Sequence, residues 1–178
     1  MILSRLILGL GNPGAEYRDT RHNVGFRVVE ELARRWGTPV DRVECNALVG
    51  GGVDGRPLLA EPQTYMNRSG HAARCLLERH GLDPEQILVV YDEVNLPLGR
   101  LRLRRSGSPA GHRGLESILE NLRTGEIPRL RLGIAPESGV PGGEGLLDFV
   151  LAPFAGDEEE TVAEMVRRAA DACEAWAA

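Results

Sequence analysis

The chain has 178 residues and a formal net charge of −5 at pH 7, which suits one domain over residues 1–178 and excludes a nucleic-acid binder that is basic over its whole surface. No apolar run reaches the ~20 residues that span a bilayer, and the first residues lack the features of a secretory leader, so the expected location is the cytoplasm. Cys45, Cys75 and Cys173 are scattered with no C-x-x-C pair, which predicts reduced thiols rather than a disulfide framework or a zinc knuckle.

Residues Arg5 to Leu10 read as a buried strand that enters Gly11-Asn12-Pro13-Gly14, and a loop follows to Asn23. Val24, Val28, Val29, Leu32 and Trp36 recur at helical spacing, with Gly37 as the stop. Val43 to Val49 and Pro57 to Ala60 flank a glycine-rich turn at Asp54-Gly55, a hairpin signal. Ser69 is placed to cap a helix that runs to His80 and ends at Gly81. Asp83-Pro84-Glu85 predicts a turn before the apolar strand Ile87 to Tyr91. The alternating Arg100-Leu101-Arg102-Leu103-Arg104 forms a strand, the loop 106–111 follows, and a helix spans about Leu115 to Leu122. Arg129 to Ile134 alternates as another strand, and Ala135 to Gly145 is a Gly/Pro loop. Asp157 opens a last helix with Val162, Met165, Val166, Ala169, Cys173 and Trp176 on one face, its acids at the positive end of the helix dipole. Strands alternate with helices, so the expected fold is α/β: a single layered domain with a twisted mixed β-sheet flanked by helices.

Charge is unevenly spread. All 21 basic residues are arginine. Without lysine there is no Schiff base and no Walker-type phosphate loop. Between Arg100 and Arg113 there are five arginines, one histidine and no acid. The alternation puts Arg100, Arg102 and Arg104 on one strand face. That face is either a solvated sheet surface or a local phosphate-binding patch on an acidic protein.

Several chemistries can be sorted by pattern. Gly9 to Gly14 matches G-x-G-x-x-G after a strand, and Glu30 or Glu31 lies near the spacing of a ribose-binding acid. A dinucleotide site, however, needs its helix to start within the turn. Pro13 interrupts that turn, the helix starts roughly ten residues later, and the acids fall inside it. There is no G-x-S-x-G elbow. His22, His71, His80 and His112 lack zinc spacing, so no metal site is expected. His71 and His80 fall within a helix and read as structural, and Met66 is open between core packing and the site. His22 lies between the first strand and the first helix, where open α/β folds hold ligands. The strand Ile87 to Tyr91 ends at Asp92-Glu93. If both edges face one cleft, Asp92 can fix the His22 tautomer and make it a general base for water.

Ordered motifs sharpen this reading. Gly9-Leu10-Gly11-Asn12-Pro13-Gly14, Tyr17 and Thr20-Arg21-His22-Asn23-Val24-Gly25 resemble the opening signature of bacterial peptidyl-tRNA hydrolases. Pro62-x-Thr64-Tyr65-Met66-Asn67-x-Ser69-Gly70, Asp92-Glu93-x-x-Leu96-Pro97-x-Gly99 and Gly111-His112-x-Gly114-Leu115 resemble the next three motifs. Arg129 to Ile134 and Phe149-Val150-Leu151 continue in order, so the resemblance runs from about Leu6 to Phe154. It implies hydrolysis of the ester between a peptide and the 3′ ribose of tRNA, with no cofactor. It implies His22 as base, Asp92 as its supporting acid and Asn12 as the group that tells blocked from free aminoacyl ends. Asn67 would hold the peptide backbone and orient attack, Tyr17 and Tyr65 would wall the cleft, and His112 would shape it. Arg102, Arg104, Arg105 and Arg131 would meet the acceptor stem of the peptidyl-tRNA near its CCA end. Arg113 stands where the family usually has asparagine, and would serve as a phosphate contact or point away. The chain stops two residues after Trp176, where many relatives add a segment. A monomer is expected. Two rivals make different predictions: a non-catalytic RNA-binding relative would not need His22 and Asp92, and an oxidoreductase would respond to dinucleotide titration.

Overall fold

The computed structural model describes residues 5–178. Seven strands form one sheet: β1 (Leu6–Gly9), β2 (Arg42–Glu44), β3 (Ala47–Gly51), β4 (Leu58–Pro62), β5 (Ile87–Pro97), β6 (Leu101–Arg104) and β7 (Arg129–Ala135). Their order is β2-β3-β4-β1-β5-β7-β6. The central four, β4, β1, β5 and β7, are parallel; β3 and β6 run antiparallel to their inner neighbours. The expected mixed α/β sheet is therefore present.

The helices explain the unbroken apolar runs of the central strands. Helices α1 (Val24–Trp36) and α5 (Glu159–Ala177) cover one face, while α2 (Ser69–His80) and α3 (Arg113–Leu122) cover the other. Leu6 and Leu8 feed the core beneath α2 and α3, and Ile7 between them feeds the core beneath α1 and α5. A parallel strand buried on both faces has no polar side to show. Gly37 and Gly81 end α1 and α2 in left-handed conformation, as their sequence positions predict.

Five expectations need correction. The strand expected over Val43 to Val49 is two strands, because Cys45 and Asn46 both have positive φ and turn the chain back on itself. That unforeseen hairpin lies over α2 and joins Cys45 to Cys75 in a disulfide, with Cα atoms 5.7 Å apart. Reduced thiols were therefore the wrong expectation for two of the three cysteines; a separation of 30 residues gives no spacing signal. Ser69 does not cap α2: it is the first helical residue, and its hydroxyl donates to the Met66 carbonyl of the preceding 3-10 turn. Strand β5 continues beyond Tyr91 to Pro97 because β7 keeps pairing with it, so Asp92 and Glu93 lie inside a strand. Finally, a seven-residue helix, α4 (Glu144–Val150), closes the loop expected to run through Gly145.

One close approach positions the site. A methyl group on Gly25 would collide with the Val90 carbonyl and the Leu10 backbone, so glycine there lets the first turn of α1 sit directly on β1 and β5. Gly25→Ala should lower stability by about 1–3 kcal/mol through overpacking, read as a lower urea midpoint at unchanged m-value.

Candidate active site

His22 sits in the 3-10 turn Arg21–Asn23 that leads from β1 into α1. Its Nδ1 lies 2.9 Å from Oδ2 and 3.0 Å from Oδ1 of Asp92. The Asp92 side chain is only 1% exposed. A second imidazole meets the same carboxylate: His112 Nε2 is 2.9 Å from Oδ1. His112 caps α3, and its Nδ1 accepts the Leu115 amide at 3.3 Å. That acceptor role puts the His112 proton on Nε2, which donates to Asp92. His22 donates from Nδ1, so its Nε2 carries the free lone pair. The two rings are 5.0 Å apart, and the edge of Tyr91 packs on His112 at 4.8 Å.

The electrostatics follow from this shared carboxylate. Burial disfavours the His22 imidazolium, but the Asp92 charge and hydrogen bond outweigh it and raise the His22 pKa. Burial alone would raise the Asp92 pKa; the two imidazoles more than reverse that and hold it well below the usual carboxylate range. Possible ligand atoms of His22, Asp92 and His112 lie within 4.8 Å of one another, a grouping that sequence spacing did not reveal. In the arrangement present, both nitrogens nearest the carboxylate are used as N–H donors to Asp92. A cavity of about 280 Å³ opens beside the pair, lined by His22, Asp92, Glu93, Arg113 and the apolar side chains Leu146 and Leu147 of α4.

A neighbouring knot of amides aligns the loops. Asn23 accepts the Asn12 N–H and donates to the Asn12 carbonyl, both at 2.9 Å. Asn12 Oδ1 then accepts the Met66 N–H at 2.7 Å, tying the glycine turn to the Tyr65–Asn67 segment. Tyr65 has φ 63° and ψ 156°, a region that side chains other than glycine rarely occupy. Such a conformation costs about 1–3 kcal/mol. Met66 is buried in the core beneath α2 and α3, whereas Tyr65 and Asn67 are exposed and Tyr17 is half-buried; none of these three lines the cavity beside His22. His80 bonds Glu44 at 2.5 Å and is structural as expected, but His71 is exposed.

The arginines divide. Arg102 and Arg104 are exposed on edge strand β6, opposite Arg131 and Arg129. Asp92 pairs with Leu132, three residues along β7 from Arg129, so Arg104 lies about 10 Å down the sheet from the level of Asp92. Arg105 is also exposed, beside a groove that holds Glu85 and Glu126. Arg131 is largely enclosed: its Nε donates to the Tyr91 hydroxyl at 3.1 Å and lies 3.7 Å from Glu93. Arg113 is exposed at the cavity rim. Asn23 and Arg21 lay inside a recognised motif, yet nothing in their residue types distinguished them from His22's other neighbours.

The family model described as peptidyl-tRNA hydrolase matches residues 6–178. The chain belongs to the peptidyl-tRNA hydrolase family. A peptidyl-tRNA hydrolase of Moorella thermoacetica is 47% identical over 174 residues, covering 97% of this chain and 90% of that protein. One of Synechococcus sp. (strain JA-3-3Ab) is 46% identical, covering 96% and 76% respectively. Among solved structures, a peptidyl-tRNA hydrolase in complex with N-propanol matches with TM-score 0.89 and 33% identity, over 99% of this chain and 91% of that one. The Acinetobacter baumannii peptidyl-tRNA hydrolase matches with TM-score 0.86 and 34% identity, over 96% and 88%. Among the described residues, no helix of this family member is long and apolar enough to cross a membrane.

Proposed function

We propose that the protein hydrolyses the ester between a peptide, or an N-blocked aminoacyl group, and the 3′ ribose of tRNA. The observation that carries this reading is the His22–Asp92 pair at 2.9 Å beside an open cavity. His22 Nε2 takes a proton from water, and the water oxygen attacks the ester carbonyl carbon. As substrate binds, the exposed Asn67 side chain turns toward His22, and its amide, with two N–H groups to give, donates to the oxyanion so formed. The carbon–oxygen bond to the ribose then breaks, and the imidazolium returns its proton to the ribose oxygen. Asp92 holds the His22 tautomer throughout, and His112 anchors Asp92. Asn12, held by Asn23, contacts the blocked amino end, while Tyr17 and Tyr65 flank the peptide. The residues fit a reaction that needs no cofactor: an ester requires only a placed base and an oxyanion donor.

The acceptor stem, leading to its CCA end, lies along the exposed Arg102, Arg104 and Arg105, with Arg113 nearest the chemistry and Arg131 bracing the sheet behind them. The protein works as a monomer in the cytoplasm, on tRNA released from translation. Each phosphate contact contributes roughly 0.7–0.9 to the salt slope of binding. Replacing Arg102 and Arg104 together by serine should therefore lower the slope of log KM against log salt by about 1–2 at little change in kcat. An unchanged slope would remove these residues from the tRNA interface.

The deciding experiment offers N-blocked and free aminoacyl-tRNA to the wild type and to His22→Ala. Cleavage of the blocked ester alone, reduced roughly 10²–10⁴-fold in the variant, is expected. A folded wild type that binds tRNA without cleaving it would instead be an RNA-binding relative.

A further inference from the structure

We infer that Arg21 is a positioning residue that sets the α4 wall of the substrate cleft. The inference rests on the hydrolase reading, because it assigns that cleft to peptidyl-tRNA. Arg21 is adjacent to His22 in sequence, yet its contacts run away from the reacting pair. Its Nη1 donates to the Phe149 carbonyl at 2.9 Å. Its guanidinium stacks 4.0 Å from the Phe149 ring centre and 5.7 Å from that of Phe154. Its Nη2 lies 3.7 Å from Glu158, and both side chains are largely enclosed. The Arg21 amide donates to the Ala152 carbonyl at 3.0 Å, and Thr20 pairs with Pro153 in an isolated bridge. One short stretch of chain thus grips residues 149–158 through both side chain and backbone.

Helix α4 is held at this end by that grip together with Val150, which is buried in the core beneath α1 and α5. It has seven residues, its N-terminus at Gly143 has no side-chain cap, and residues 137–143 before it are mostly exposed. A helix of two turns gains little stability of its own and takes its position from tertiary contacts. Leu146, Leu147 and Val150, which line the cavity shared with His22, are therefore placed from the C-terminal end of α4, where Arg21 holds Phe149. His22 is held separately, by two contacts to Asp92. Loss of the Arg21 side chain should then disturb the wall without disturbing the base. A wall that touches substrate equally before and during reaction contributes to KM rather than to kcat. A planar guanidinium meets the carbonyl, the ring and the carboxylate at once; an ammonium cannot stack in the same way.

Kinetics on N-blocked aminoacyl-tRNA test this. Arg21→Gln should raise KM about tenfold, with kcat within about twofold and the acid limb of the pH profile unmoved. Arg21→Lys should recover part of the loss. Phe149→Leu, which removes the ring but keeps the carbonyl, should raise KM less, and the double variant should be no worse than Arg21→Gln alone. Amide hydrogen exchange supplies a readout independent of activity: residues 144–150 should exchange faster in Arg21→Gln while β5 keeps its protection. A fall in kcat at constant KM, additive effects in the double variant, or faster exchange throughout the protein would each overturn the inference. A wild type that fails to cleave would sink the hydrolase reading instead, and unchanged exchange in α4 would sink the positioning role whatever the activity.

Discussion

Asp92→Asn is expected to lower kcat by roughly 10³–10⁴-fold in a protein that still folds. The reason is hydrogen-bond arithmetic. The carboxylate accepts from two imidazoles at once, His22 Nδ1 and His112 Nε2. An asparagine has one acceptor oxygen and one donor nitrogen, so one ring must meet an N–H group with its own. His112 cannot yield easily, because the Leu115 amide fixes its other nitrogen as an acceptor. His22 must therefore move its proton to Nε2, the atom needed as base. The pH profile gives a second check. Asp92 raises the His22 pKa above its ordinary 6.5, so the acid limb of wild-type kcat/KM should lie above that value. Any residual activity of Asp92→Asn should have its acid limb displaced to lower pH. A variant with near-normal kcat would show that Asp92 does not set the tautomer of the base.

Glu61→Gln should stabilise the protein at alkaline pH, on the order of 2–4 kcal/mol, with little effect near pH 5. Glu61 lies on β4 with 6% of its surface exposed, and its Oε1 is buried without a hydrogen-bond partner among the described residues. Burial first, and the charge of Glu30 second, push its pKa up to about 8 from an ordinary 4.5. The folded state therefore holds a proton that the unfolded state releases above about pH 4.5. The stability associated with that proton is complete below the unfolded value and is lost as pH rises through about 8. Glutamine is the neutral isostere and has no such loss. Urea unfolding of both proteins at pH 5, 7 and 9 should show midpoints that diverge as pH rises; parallel curves would mean that Glu61 is solvated or paired.

The sequence made some of this legible and hid the rest for identifiable reasons. Helix α1 is readable because its apolar residues recur at helical spacing and Gly37 ends it; both signals are local. His22 and Asp92 are readable as candidates because each follows an apolar strand run, and the ordered motifs raise them above other loop residues. Their contact spans 70 residues and depends on how β1 and β5 pair, which periodicity does not encode. The role of His112 as second donor to Asp92 depends on the cap geometry of α3, so sequence alone suggested only that it shapes the cleft. The Cys45–Asn46 turn carries no glycine signal because both residues at positive φ are non-glycine, and the disulfide it positions has no sequence signal either. Arg131 reads as one more cation in an alternating strand; only the fold reveals that Tyr91 and Glu93 enclose it.

The sheet has two open margins, and neither offers a good template to another chain. Strand β2 has three residues, too few for a stable added ladder, although Val43 is 82% exposed on it. Strand β6 is the riskier margin, since Leu101 and Leu103 alternate along it and Leu103 is 46% exposed. Arg102 and Arg104 interrupt that apolar alternation. A second copy docking edge to edge would bring arginine against arginine with no acid in the strand to offset them. The same two side chains proposed to meet nucleic acid thus also make the β6 edge a poor template for self-association, and charge-removing substitutions there should promote aggregation as well as weaken the proposed tRNA binding.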